Sequence, residues 1–367
     1  YTLPITGYGS SEGGYYLIAP PINNVNPVEI QGMTTGDYDL YYFDQSQELE
    51  WINYEASPFN LESGKGYLYA HKTDTTLSFA GTPYNGNGKV TLRKNTGVEF
   101  EGWNLVGNPY AQTASIDRDC YVMNENGSDI IASTVRMVSP MQGVFVIAAS
   151  DNEKMTFTRQ PNRNEGAKIV LNAHKDQSAV IDRAIIRFEG NCCLPKFMLH
   201  PDNTKLYIPS EGKDYAIMTR NTEKATPVCF KAKENGEYTL NIDVVNVAMD
   251  YLHLIDNKTG ADIDLLQTSS YTFQANTNDY AERFNLVYAK TMGNDVDDTL
   301  FAYYVDGEIR LVEPYFGASL QIVDVLRRVV IEDDAIHHVS TSGMTAGIYV
   351  LRLINGEKVR TQKIVVR

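Results

Sequence analysis

Apolar and polar residues alternate with a period of two through most of this chain. Leu77 and Phe79 alternate with Thr76 and Ser78, Met155 and Phe157 with Lys154 and Thr156, and Tyr238, Leu240 and Ile242 with polar neighbours. A period of two predicts strands with one face buried and one in solvent. Longer apolar runs, GKGYLYA at 64–70 and MQGVFVIA at 141–148, predict central strands. Between the runs lie hairpin signals: YNGNG at 84–88, NENG at 124–127, Asn235-Gly236, Asp306-Gly307 and Asn355-Gly356. Asn-Gly and Asp-Gly accept the positive φ that tight hairpin turns need. The expected fold is all-β, with tandem antiparallel β-sandwich or jelly-roll-like domains followed by a small immunoglobulin-like C-terminal sandwich.

The pattern also repeats. Gly14, Tyr15, Leu17, Ile18 and Pro21 match Gly102, Trp103, Leu105, Val106 and Pro109. Asp39 to Asp44 matches Asp119 to Asn124, Gly66 to Ala70 matches Gly143 to Ile147, and TLSF at 76–79 matches KMTF at 154–157. Four blocks in one order, at offsets of 88, 80, 77 and 78, predict an internal duplication. The expected organisation is a β-domain at 1–163 built from two similar units (about 1–88 and 89–163), a second β-sandwich domain at 164–292, an acidic linker at 293–298 and a small immunoglobulin-like sandwich at 299–367.

Composition narrows the function. The net charge of −14 falls entirely outside 299–367, where eight basic residues balance eight acidic ones. An acidic chain repels phosphate backbones, so no nucleic acid partner is expected. No apolar stretch reaches the roughly 20 residues of a membrane span, so no transmembrane segment is expected. The chain begins at Tyr1, and the expectation is a processed product or the C-terminal part of a longer protein. The four cysteines are Cys120, Cys192, Cys193 and Cys229. Free or buried thiols are expected, with a bridge from Cys229 to Cys192 or Cys193 as the alternative.

Catalytic chemistry needs a nucleophile beside a base. The histidines, His71, His174, His200, His253, His337 and His338, fall in no triad motif, and Cys192/Cys193 with His200 is the most suggestive local pairing. There is no HExxH, and DNKTGADID at 256–264 misses the acid spacing of an EF-hand loop. GTPYNGNGK at 81–89 lacks phosphate-loop spacing. No catalytic residue, metal site or cofactor is expected. Ring stacking is the chemistry that remains. Trp51 and Tyr54, with Asp39 and Asp44 and the neighbouring Tyr41, Tyr42 and Asn53, form a candidate ligand-binding set. The chemistry would suit a carbohydrate: aromatic faces stack on the C–H surfaces of a sugar, and acids and amides orient its hydroxyls. Trp103 matches Tyr15 at a repeat position and is expected in the core.

The last segment carries a more specific pattern. Gly347, Tyr349 and Val350 open a strand, Asn355-Gly356 follows as a hairpin, and Lys363, Ile364, Val365 and Val366 close the chain. Upstream stands Asp324-Val325-Leu326-Arg327-Arg328-Val329-Val330. These blocks, in this order, resemble the type A C-terminal sorting domain of Bacteroidota type IX secretion cargo. Arg327 departs from the family, which has a glycine there. The resemblance implies export through the periplasm to the medium or the outer-membrane cell surface. It also implies recognition by the type IX outer-membrane translocon and a sortase, and processing near 290–300. The rest of the chain resembles, less specifically, accessory β-domains of large surface proteins. The expected function is therefore a non-catalytic, surface-exposed or secreted β-domain region with an adhesin-like or accessory role toward a host protein or glycan. The alternative is the C-terminal accessory region of a larger secreted enzyme, a peptidase, whose catalytic domain lies upstream of Tyr1.

Overall fold

The computed structural model describes residues 1–9, 14–159, 166–176, 178–190, 193–220, 225–290, 301–305, 307–311, 318–325, 328–334, 338–355 and 358–366. The chain is all-β in antiparallel sheets. A single 3-10 turn, Pro27–Glu29, is the only helical element among the described residues. Two compact units divide it, Tyr1–Thr291 and Met292–Arg367. The acidic stretch 293–298, read as a linker, lies outside the described residues.

The first unit opens with the duplicated sequence, and the two copies pair their strands alike. Copy one contributes β1 (Thr2–Ile5), β2 (Tyr16–Ile18), β3 (Asn24–Val25), β4 (Tyr38–Phe43), β5 (Trp51–Asn53), β6 (Leu61–Glu62), β7 (Tyr67–His71) and β8 (Thr75–Ser78). Copy two contributes β9 (Lys89–Thr91), β10 (Trp103–Gly107), β11 (Ala114–Ile116), β12 (Tyr121–Met123), β13 (Ile130–Ala132), β14 (Met137–Val138), β15 (Gly143–Ile147) and β16 (Lys154–Thr158). Copy one forms the sheet β2-β7-β4-β5, and copy two forms β10-β15-β12-β13. The pairs β1-β8 and β3-β6 have their counterparts in β9-β16 and β11-β14. Register agrees residue by residue: Tyr41 faces Leu68 as Tyr121 faces Phe145, and Phe43 faces Trp51 as Met123 faces Ile130.

The copies join reciprocally. Ala19 N–H donates to Met141 O at 2.9 Å, and the matching Gly107 N–H donates to Gly64 O at 3.0 Å. Single bridges repeat the exchange, Ile18 with Gln142 and Val106 with Lys65. Backbones meet here with no room for side chains. A Cβ on Gly107 would lie 2.3 Å from Ala19 Cβ and 2.4 Å from Lys65 O. The glycine just before β2 or β10 is held by a turn of the other copy. Gly14 N–H donates to Asn126 O at 2.8 Å, and Gly102 N–H donates to Gln45 Oε1 at 2.8 Å. Gln45 is buried with all four hydrogen bonds made. Its amide donates to Arg93 O and Trp103 O, and its oxygen also accepts from Asn95 N.

The second half of this unit is one large sheet of β17 (Lys168–Lys175), β18 (Asp182–Arg187), β19 (Cys193–Pro195), β20 (Lys205–Ser210), β21 (Lys213–Thr219), β22 (Ala225–Lys231), β23 (Gly236–Val245), β24 (Met249–Asp256), β25 (Ala261–Asp264), β26 (Ser270–Ala275) and β27 (Phe284–Lys290). The order runs β25-β24-β27-β22-β20-β21-β18-β17-β23-β26, with β19 beside β21. All pairings are antiparallel except β18 with β21. The sheet folds over on itself, so strands distant in that order share one core: Phe273 on β26 contacts Phe284 on β27 at 5.0 Å between ring centroids. Strand β23 alternates from Glu237 to Asp243, whereas β17 is buried on both faces. Ile169 and Leu171 face the sandwich core, and Val170 faces a cluster shared with Trp103, Tyr121 and Phe145 of copy two. Two covered faces explain an apolar run without alternation.

The second unit holds β28 (Ala302–Val305), β29 (Glu308–Leu311), β30 (Ser319–Val323), β31 (Val329–Asp333), β32 (His338–Ser340), β33 (Gly347–Asn355) and β34 (Lys358–Val366). Sheets β28-β29-β32 and β31-β30-β33-β34 enclose one core. Gln362 on β34 ties them together, its Oε1 accepting from Phe301 N at 2.9 Å and Ala302 N at 3.0 Å.

Two substitutions test these constraints by urea unfolding. Gly107→Ala forces a methyl into the junction of the copies and is expected to cost about 2–3 kcal/mol. Arg283 and Asp256 form a buried pair at 2.8 Å, and Tyr271 also donates to Asp256. Burial raises the Asp256 carboxyl, but the Arg283 and Tyr271 hydrogen bonds and the Arg283 charge bring it below its ordinary value. A lowered folded pKa gives stability that is present above the unfolded value of roughly 3.9 and lost as pH falls through the folded one. Arg283→Met strands the carboxylate and is expected to cost about 3–5 kcal/mol at neutral pH, with a smaller difference from the parent in acid.

Candidate functional site

On β4, alternation sends Tyr38 and Leu40 into the core of copy one and turns Asp39, Tyr41 and Phe43 to the opposite face. Trp51 lies opposite Phe43, and Leu68 opposite Tyr41, so both join that face. Tyr15, Tyr41, Trp51 and Leu68 line a pocket of about 300 Å³. Met123, Ser128 and Ile130 of copy two and His200 of the second sandwich close its other wall. The NENG turn positions that wall. Gly127, at φ +71°, donates to Asn124 O, and its carbonyl accepts from Tyr15 N at 3.2 Å. A Cβ there would stand 2.3 Å from Tyr15 N.

The pocket is apolar with a polar edge. Burial, then Asp39 and Tyr41, raises the Tyr15 hydroxyl above its ordinary value, so it remains a protonated donor at neutral pH. Burial, followed by the Lys205 charge, lowers the His200 imidazole and outweighs the opposing Asp129, so it is neutral there. Ser128 Oγ is engaged with Asn126 Oδ1 at 2.8 Å and Asp129 Oδ2 at 3.0 Å. The arrangement can stack a ring and orient it. Ser128 and His200 both line it, and among the described residues no hydrogen bond joins them.

The structure separates the residues nominated from sequence. Trp51 lines the pocket, and Asp39 sits on the same face beside Tyr15. Tyr54 belongs to the other side of the sheet, packed against Tyr38 and Phe59 with its hydroxyl 3.4 Å from Asn26 Oδ1. Asp44 caps its own turn, accepting from Ser46 N at 3.0 Å, and lines a separate groove of about 1000 Å³ between the copies. Tyr42 packs edge-on against Phe59, and Asn53 caps the Glu55 amide at 2.7 Å. Tyr15 and Leu68 were missed, and His200, read from sequence as a partner for Cys192/Cys193, lines this pocket instead. Tyr15 had a signal: it occupies the repeat position of Trp103, itself buried in the core.

The terminal motif divides between core and surface. Tyr349, Ile364 and Val366 are buried, and Tyr349 donates to Thr345 O at 2.8 Å. Val350, Lys363 and Val365 are exposed on the outer face of the sheet, and Gly347 begins β33 opposite Val366. Arg327 and His337 lie outside the described residues. DNKTGADID is the β24-β25 hairpin. Asp256 is paired with Arg283, Asp262 Oδ1 meets His253 Nδ1 at 2.7 Å, and Asp264 caps the Leu266 amide. Among the described residues no three His, Cys, Asp or Glu side chains gather as a metal site. No hydrogen bond joins Cys193 to His200 among them, and no helix is long and apolar enough to cross a membrane. Cys120, Cys193 and Cys229 are free thiols, which excludes a bridge from Cys229 to Cys193; Cys192 lies outside the described residues.

No family model and no curated protein matches the chain. Among solved structures it is similar to one described as "Biofilm associated protein - BSP domain", at 9% sequence identity and a TM-score of 0.14. The alignment covers 100% of this chain and 62% of that one. So slight a likeness assigns neither fold nor role.

Thiol labelling checks the site's surroundings. Burial pushes the Cys120 thiol up to about 12 and the Cys229 thiol up to about 11. A thiol reagent at pH 8 is expected to modify exposed Cys193 in the native protein and to reach Cys120 and Cys229 only after unfolding, as read by peptide mass spectrometry.

Proposed function

We propose that this protein is a non-catalytic, surface-displayed or secreted β-protein with an adhesin-like role, in which the Tyr1–Thr291 unit binds ligand and the Met292–Arg367 unit carries a type IX export signal. The observation that carries the binding half is the open pocket at Trp51, where aromatic rings and a polar edge converge between the copies. Concave, mostly apolar sites with a few polar groups are the form that ring-bearing ligands need. A host protein or a glycan fits such a site.

The export half rests on the ordered blocks at the end of the chain. Their apolar residues supply the closing strand of a small sandwich while Val350, Lys363 and Val365 stay accessible to a translocon and a sortase. Removal of 347–367 deletes β33 and β34. In a type IX-competent host the truncated protein is expected to accumulate in the periplasm, measured by fractionation and immunoblotting. Normal surface display of the truncation would overturn the export reading. A soluble full-length control shows that expression itself is intact.

A further inference from the structure

The two copies present the same face, and the chain fills only one of them. In copy two, Trp103, Tyr121 and Phe145 receive the ring of Phe197 from the second sandwich, with centroids at 4.3, 5.6 and 4.8 Å. The Tyr121 hydroxyl holds the incoming backbone. It accepts from Phe197 N at 2.9 Å and donates to Pro195 O at 3.1 Å. The segment is anchored by the buried Lys196–Asp182 pair, whose Nζ–Oδ1 distance is 2.6 Å. Nearby, buried Asp119 holds two guanidinium groups, Arg136 of its own copy (Nε–Oδ1 2.9 Å) and Arg187 of the same sandwich (Nη2–Oδ1 2.6 Å).

Strand register makes Tyr41 and Leu68 the counterparts of Tyr121 and Phe145, and the matched sequence blocks add Tyr15 for Trp103 and Asp39 for Asp119. Tyr15, Tyr41 and Leu68 line the Trp51 pocket. Among the described residues the Tyr41 hydroxyl makes no hydrogen bond and Asp39 makes no ion pair. The pocket also continues the interface between the repeats and the second sandwich. Its wall residue His200 follows Phe197 by three positions, and Trp51, Leu68 and Ile130 pack against the cluster that holds Phe197.

We propose that the Trp51 pocket is the vacant counterpart of the Phe197 seat and that its ligand is a polypeptide segment presenting an aromatic side chain with a basic side chain beside it. The ring lies against Tyr15, Leu68 and Trp51, the Tyr41 hydroxyl bonds the ligand backbone, and the cation meets Asp39. This rests on the binding role proposed above and names the ligand class of that site. The chain's own Phe197 and Arg187 supply the template, because the same positions in the other copy are satisfied by an aromatic ring and a guanidinium. A saccharide has neither a flat aromatic ring nor a fixed cation.

The test uses the full chain labelled with fluorotryptophan, whose two tryptophans give separate fluorine resonances. N-acetyl-Phe-Arg-amide is expected to shift the Trp51 resonance and leave that of Trp103 in place. N-acetyl-Phe-Glu-amide should bind about threefold more weakly, the scale of one exposed charge pair, and Asp39→Asn should erase that difference. Tyr41→Phe should weaken both peptides roughly fivefold by removing one hydrogen bond. An unchanged Trp103 resonance shows that each variant remains folded. A response to methyl glucoside with none to either peptide would overturn the peptide assignment and leave the binding role standing. Silence of the Trp51 resonance toward every probe would overturn both.

Discussion

The reciprocal junction of the two copies is the constraint on which the rest of the first unit depends. Matching amides and carbonyls, Ala19 with Met141 and Gly107 with Gly64, are exchanged across a pseudo-two-fold axis. The backbones approach so closely that Gly107 admits no side chain. Buried backbone groups must be paired, so each copy completes the hydrogen bonding of the other. The same exchange explains the glycine just before β2 and β10. Gly14 and Gly102 both have positive φ, and each donates to a turn of the opposite copy.

Symmetry of backbone does not make the copies equal, because the second sandwich covers one far more completely than the other. Its apolar residues Val170, Ile185 and Phe197 pack on copy two, and its charged groups are fixed by burial. Lys196 is paired with Asp182, and Arg187 with Asp119. A buried ion pair adds little net stability, yet removing either partner is costly. Arg187–Asp119 therefore fixes where the sandwich sits more than it strengthens it, and Lys196–Asp182 holds the Phe197 segment within the sandwich. Copy one keeps the same aromatic strand face with a smaller apolar wall, and that shortfall is the pocket.

Much of the fold was legible in the chain. Period-two alternation marked β16 and β23, and Asn-Gly marked the turns at Gly127 and Gly236. The four matched blocks anticipated the equivalent sheets. The candidate site was legible only in part. Trp51 and Asp39 share a face because β4 and β5 pair in a register that sequence spacing does not state. Tyr54 and Asp44 lie close to them in sequence but belong to the opposite face and to a turn. His200 comes from a separate sandwich about 150 residues after Trp51, a distance over which local pattern carries no information.

The sequence by itself determined the strands, their turns and the repetition, because each depends on neighbours within a few residues: pleat, turn chemistry and side-chain period. It also determined which residues could stack on a ring. Tertiary structure decided which of those rings meet a neighbour and which stay open. Trp103 and Tyr15 occupy one repeat position, and only the arrival of Phe197 from the second sandwich makes the first core and the second a pocket wall. Long-range burial, and the Arg187–Asp119 pair that fixes its position, made that choice.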